Sequence, residues 1–170
     1  MREINIKISW IKYSALEKMY LEAERHQPYE TGGCLLGYWD KLSNAVVITQ
    51  SIGPGPNAKH SKYKFWPDHE WQASAIAEIY NESEYSSTYL GDWHSHPLHL
   101  NSGLSWRDYR TLSRIAHYPP ARAPMPVMAV ISGGSPWTIR IWYLVRKRFK
   151  IFSIGMQEEI LQIKIYDHQS

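Results

Sequence analysis

Two histidines one residue apart, His94-Ser95-His96, stand ahead of Ser105-x-x-Asp108 in the stretch best suited to chemistry. The run before them, Ser86 to Trp93, is rich in β-branched and aromatic residues and is predicted to be a strand. Side chains at i and i+2 of a strand share a face, so both imidazoles can point at one ion. Pro97 has no N–H for the ladder and ends the strand; Leu98 to Leu104, with Asn101, Ser102 and Gly103, reads as a turning loop. A helix follows from Ser105, with Tyr109, Leu112 and Ala116 at helical spacing and Asp108 one turn in, on the side of Ser105. His94, His96 and Asp108 form a nitrogen and oxygen donor set of the kind a catalytic zinc uses when it keeps a fourth position for water. A structural zinc wants four protein ligands, usually several cysteines, and this chain has one cysteine. Each piece alone has another reading: histidines at i and i+2 are often polar strand residues, and Ser105-x-x-Asp108 is also a helix capping pattern. The conjunction of strand end, loop and helix start, supplying the right donors in order, favours the metal.

The same residues resemble the signature of the JAMM metalloproteases, the catalytic MPN domains: a glutamate, then at long distance His-[Ser/Thr]-His-Pro, a short loop, and Ser-x-x-Asp. Here it stands as Glu30, His94-Ser95-His96-Pro97 and Ser105-x-x-Asp108. The loop Pro97 to Leu104 is one residue longer than usual, which a loop absorbs easily. Tyr29-Glu30-Thr31-Gly32-Gly33-Cys34-Leu35-Leu36-Gly37 is similar to the Glu-Thr-Gly-Gly segment of bacterial members. Spacing alone does not carry Glu30 to a site beyond residue 90; that step belongs to the family fold.

The resemblance implies a zinc-dependent peptidase or isopeptidase with one Zn2+ per chain on His94, His96 and Asp108, activating a water near neutral pH. It implies Glu30 as general base and then general acid, and the Ser105 hydroxyl as donor to the oxyanion. The implied substrate is a ubiquitin-like protein or its conjugate, cut after the C-terminal glycine, its extended tail adding as a strand to a sheet edge near the metal. The compact chain looks like stand-alone bacterial members from antiphage operons such as CBASS, with the conjugating and activating enzymes of the same operon as further partners.

Other classes fit less well. A metal-free MPN scaffold acting as a protein-binding module loses ligands, whereas all five motif residues stand here. A cysteine peptidase needs an activated thiolate, and the apolar neighbours of Cys34 predict a buried structural thiol. A nucleotide deaminase of the same fold needs a Pro-Cys-x-x-Cys pair, which is absent.

A chain of 170 residues, 44 % of them hydrophobic, is expected to be one JAB/MPN domain over residues 1–170. Its net charge of +3 is too slight to make nucleic acid the main partner. Arg140, Arg146, Lys147, Arg148 and Lys150 cluster without acids between them, most simply as the solvated face of a strand. The start, Met1 to Lys7, has no signal-peptide core, no apolar run approaches a membrane span, and the lone cysteine suits a reducing compartment, so a cytoplasmic protein is expected.

These residues need elements to hold them. Ile4, Ile6 and Ile8 alternate as in a half-buried strand. Ser14-x-x-Glu17 is a capping-box pattern ahead of a stripe of Leu16, Met19, Tyr20 and Ala23, which Pro28 stops. Strands are predicted over 34–38 and 44–50, joined as a hairpin, then a loop over 51–57 and a polar, basic stretch over 58–64 that could flank a groove. A helix starting near Pro67 carries Trp71, Ala75, Ile76, Ile79 and Tyr80. Strands over 125–131 and 137–145 follow the Ser105 helix, and 157–166 reads as a final strand or a helix. The expected class is α/β, a mixed β-sheet sandwiched by helices, in agreement with the JAB/MPN, cytidine-deaminase-like fold of the resemblance. His26, His60, His69, His117 and His168 read as surface residues, His99 lies near enough to touch substrate or metal, and Trp93 and Trp106 are candidates to wall the site.

Overall fold

The alternation of apolar strands and amphipathic helices resolves, in a computed structural model, into β1 (Ile8–Lys12), α1 (Tyr13–His26), β2 (Gly32–Asp40), β3 (Ala45–Ile52), β4 (Lys59–His60), β5 (Phe65–Trp66), α2 (His69–Glu82), β6 (Thr88–His96), α3 (Trp106–Ala116), β7 (Val127–Gly133), β8 (Trp137–Phe149) and β9 (Ser153–Tyr166). The structure describes residues 6–97, 103–123, 125–149 and 153–167. Ile4, His99, the loop residues 98–102, Lys150 and His168 lie outside these, as do the side chains of the basic run at 146–148.

Seven strands form one mixed sheet in the order β1-β3-β2-β6-β7-β8-β9. β1–β3 and β6–β7 are parallel pairs, and β2 runs antiparallel to both β3 and β6. The sheet departs from the expected open layer between helices, because β9 returns to pair in parallel with β1, from Ile8↔Gln162 to Lys12↔Tyr166, and closes the strands into a barrel. Length explains the closure. β9 runs for 14 residues, enough for a twisted strand to pair with β8 and still reach β1. It is a strand throughout, which resolves the ambiguity over 157–166.

Helices pack on both faces of this sheet. Leu16 and Met19 of α1 are buried with Leu35, Ile48, Ala129 and Ile131 in the main core. On the opposite face Leu112 of α3 meets Met128, Val130 and Leu144. Alternation along β7 explains the split: Val127, Ala129 and Ile131 face α1 while Met128 and Val130 face α3, so the strand reads as an unbroken apolar run. Leu112 is fully buried and holds down the helix that carries Asp108. Leu112→Ala is expected to destabilise the protein by about 2 to 5 kcal/mol in urea unfolding. A loss under about 1 kcal/mol would mean that the groove under α3 collapses around the shortened side chain.

Three local expectations change. β1 runs straight into α1, so the helix starts at Tyr13 with Lys12 as a cap that makes no side-chain bond, and the Ser14 capping box does not form. The apolar stripe of α2 leaves only Gln72 buried, its amide donating to the Gly53 carbonyl at 3.0 Å, while Ile76 and Tyr80 line a cleft. The polar stretch after Ala58 folds into the two-stranded ribbon β4–β5, with Lys59↔Trp66 and His60↔Phe65 paired. None of the described helices is long and apolar enough to cross a membrane.

Candidate metal centre

β6 carries both histidines, and its antiparallel partner β2 brings in the glutamate. Gly32 lies opposite His94. Continuing that register puts Thr31 beside Ser95, and two hydrogen bonds fix it there: the Thr31 amide donates to Ser95 Oγ at 3.0 Å and the Ser95 amide to the Thr31 carbonyl at 2.8 Å. Residue 30 therefore arrives across from residue 96, which is how a glutamate more than sixty positions away reaches the histidines. The glycine pair permits the approach. A β-carbon on Gly32 would strike the Trp93 carbonyl, and one on Gly33 the Ile52 carbonyl.

The third donor comes from the first turn of α3. Ser105 is the cap, with its hydroxyl oxygen accepting from the Asp108 amide at 3.3 Å and its own amide donating to Asp108 Oδ2 at 2.7 Å. The capping reading and the ligand reading thus coexist. Oδ2 of Asp108 serves the cap, whereas Oδ1 turns to His94 Nε2, 3.3 Å away. The Ser105 hydroxyl accepts from the Asp108 amide with a lone pair, and its own side-chain hydrogen bond to the Asp108 carboxylate helps hold that carboxylate ionised.

His94 Nε2 and His96 Nε2 face each other at 3.0 Å, and these nitrogens with a carboxylate oxygen of Asp108 all lie within 4.8 Å of one another. Three electron-pair donors crowding one point suit a divalent cation that bonds to all of them, with room for a further ligand. The electrostatics agree. Burial works against a charged imidazole at His94, yet the hydrogen bond and charge of Asp108, with Glu30 and Asp92 behind it, outweigh burial and raise its pKa. Burial pushes against ionisation of Asp108 too, but its bonds to His94 and Ser105 hold the carboxyl well below the usual range. Such a pocket draws positive charge, which a metal supplies more fully than a proton.

Glu30 Oε1 stands 4.0 Å from His96 Nε2, beside the triad. Burial pushes its carboxyl up to about 7, with Asp108 adding to the rise while His94 and Arg107 oppose it. A bound cation would pull that value down again.

A cleft of about 1040 Å³ lies between α2 and α3, with Cys34 and Asp92 on its floor and Ile76, Tyr80, Ile115 and Tyr118 along its walls. Asp92 precedes His94 by two residues on the same strand face, so the cleft lies on the metal centre's side of β6, though none of the three donors lines it. Cys34 is buried, and burial raises its thiol pKa further from reactivity, as expected of a structural thiol. Trp93 does not wall the site: its side chain lies in the inner core, with the indole N–H donating to the Ile52 carbonyl at 2.9 Å. Trp106 is 71 % exposed at the start of α3.

Two contributors are not legible in sequence. Arg107 reaches the Tyr63 carbonyl at 3.4 Å, linking α3 to the ribbon beyond β4. His60, expected on the surface, is half-buried, and its Nδ1–H donates to the Glu30 carbonyl at 2.9 Å. A polar, basic context hid it; only the ribbon, which pairs two residues with two, places it.

Comparison with known proteins agrees with this architecture. The solution structure of protein DSY2949 from Desulfitobacterium hafniense matches with a TM-score of 0.64 at 20 % identity, covering 94 % of this chain and 95 % of that one, a likeness in fold. The chain is 42 % identical over 137 residues to the probable metalloprotease y4qB of Sinorhizobium fredii (strain NBRC 101917 / NGR234), spanning 80 % of this chain and 83 % of that protein. The family profile of prokaryotic homologues of the JAB domain matches residues 13–145, a span that holds Glu30, both histidines and Asp108. With most of its length matched by that profile and by a close relative, the chain belongs to the prokaryotic JAB-domain family.

Proposed function

We propose that this protein is a zinc-dependent peptidase of the isopeptidase type, cutting after the C-terminal glycine of a ubiquitin-like protein or its conjugate. The observation that carries the hydrolase reading is the pairing of a three-donor centre with a separate carboxylate, Glu30, 4.0 Å from His96 and outside the donor cluster. His94, His96 and Asp108 would hold one Zn2+. When bound, zinc lowers the pKa of its water to about 7 and polarises a carbonyl oxygen. Glu30 takes a proton from the attacking water on its carboxylate and delivers it to the departing nitrogen, base first and acid afterwards. The Ser105 hydroxyl, turning from the Asp108 carboxylate, donates to the carbonyl oxygen as negative charge gathers there. The products are a carboxylic acid and an amine.

The substrate class rests on the family resemblance, and two features support an extended tail. The strands beside the metal centre, β2 and β6, are paired on both sides, whereas the β4–β5 ribbon beside Glu30 keeps open edges among the described residues, where an added strand could lie. The cleft between α2 and α3, on the same side of β6, offers space for the rest of the partner. A bacterial antiphage operon with a ubiquitin-like conjugation system, acting in the cytoplasm with its conjugating and activating enzymes, is the setting this substrate implies.

The test is a fusion whose ubiquitin-like tail ends in Gly-Gly before the joined protein. Zinc-loaded enzyme is expected to release the joined protein after the last glycine and to stop when a chelator removes the metal. Intact fusion after prolonged incubation with zinc-loaded enzyme, together with intact lysine-linked conjugate, overturns the reading. Ser105 is tested in the same assay. Ser105→Ala is expected to keep zinc and to slow turnover roughly 100-fold, with about 1 kcal/mol of stability lost from the cap. A variant that loses stability alone leaves Ser105 as a helix cap and nothing more.

A further inference from the structure

Glu30 precedes β2, so the ladder does not hold its backbone. Its peptide groups are held instead by two successive residues of the ribbon. The Glu30 amide donates to the Ser61 carbonyl at 2.8 Å, and the His60 ring, through Nδ1–H, donates to the Glu30 carbonyl at 2.9 Å. Only the second of these bonds depends on a side chain. The ring is itself fixed, stacked on His26 with centroids 4.0 Å apart and nearly parallel to Phe65, whose centroid is 6.4 Å away. His26 is anchored in turn, its Nδ1 donating to the Glu22 carbonyl at 3.1 Å in the last turn of α1. A rigid chain of contacts therefore runs from α1 through two imidazoles to the peptide that bears the carboxylate.

We infer that His60 is a positioning residue: by holding the Glu30 carbonyl it sets the direction in which the Glu30 carboxylate meets the metal centre. This rests on the reading of Glu30 as the proton carrier. The Glu30 carbonyl and the Thr31 amide belong to one planar peptide unit, so the His60 bond on one side and the Ser95 bond on the other together fix its orientation. Proton transfer demands reach and alignment, and small errors in aim lower its rate without changing what binds. The ring stack adds a requirement: the carbonyl is an acceptor only, so the His60 proton must sit on Nδ1.

Two variants and one spectrum test this. His60→Phe keeps a flat ring for the stack and removes the donor; His60→Asn places an amide N–H near the position of Nδ1. With the Gly-Gly fusion as probe, His60→Phe is expected to retain zinc and KM while kcat falls about 10- to 100-fold, and His60→Asn to recover most of that loss. Nitrogen-15 spectra of the wild type at about pH 8, where an ordinary imidazole is neutral, should show the His60 proton on Nδ1. A proton on Nε2 overturns the inference, and this measurement decides the matter even where His60→Phe does not fold. Wild-type turnover by His60→Phe, with Glu30→Gln inactive, overturns it while leaving Glu30 in its role. Wild-type turnover by Glu30→Gln removes the proton carrier, and the inference falls with it.

Discussion

Glu30→Gln is expected to fold, to bind zinc and to bind the tail, yet to hydrolyse it roughly 100- to 10,000-fold more slowly. The geometry sets these apart. Glu30 stands outside the cluster of three donors that lie within 4.8 Å of one another, so removing its charge leaves each metal ligand in place. Its backbone bonds to Ser61 and His60 do not involve the carboxylate, and an amide of the same shape can occupy the same space. What the amide lacks is a basic oxygen that accepts a proton from water and returns it to the leaving nitrogen. The measurement is cleavage of the Gly-Gly fusion at equal zinc occupancy, beside a binding assay for the uncleaved fusion. A variant that cleaves at the wild-type rate excludes Glu30 from the chemistry. A variant that binds but does not cut can serve to capture the natural partner.

His96→Ala is expected to lose zinc and, with it, all measurable hydrolysis. Partners outside the first ring of ligands commonly contribute 10- to 100-fold to metal affinity, so loss of a direct donor should exceed roughly 100-fold. The remaining pair, buried His94 and partly buried Asp108, sits on a strand and a helix packed against the barrel and cannot move to recruit a replacement. Folding should survive, since His96 stands at the end of β6 and is only partly buried. Elemental analysis of wild type and variant decides it: about one zinc per chain in the first and little in the second. Well-folded wild type without zinc would turn the protein from a hydrolase into a binding scaffold.

Much of the site is written in local spacing. His94 and His96 at i and i+2, and Ser105 and Asp108 at cap and third position, report geometry set within one strand and one helical turn, so sequence and structure coincide there. Glu30 was reachable only through family likeness, because strand patterning tells which face a residue takes and not which distant strand lies alongside. The Gly32↔His94 register that brings it in is a property of the folded sheet. The same limit hid the barrel. Alternation in β9 is visible, but its parallel pairing with β1 joins residues at opposite ends of the chain. His60 was missed for a further reason: a two-residue strand carries no periodicity at all. Trp93 went to the wrong face although alternation was legible: as the neighbour of His94 along a regular stretch of β6 it points to the opposite side, into the core.

The closed ring of strands bears on how such a protein survives at high concentration. A strand with unpaired amides and carbonyls is a template for any extended polypeptide, including another copy of the same protein, and open sheets are exposed to edge-to-edge polymerisation. Pairing the last five residues of β9 with β1 removes β1 and that end of β9 from the hazard. The remaining open backbone of the ribbon is two residues per strand, too short to nucleate a stack of copies.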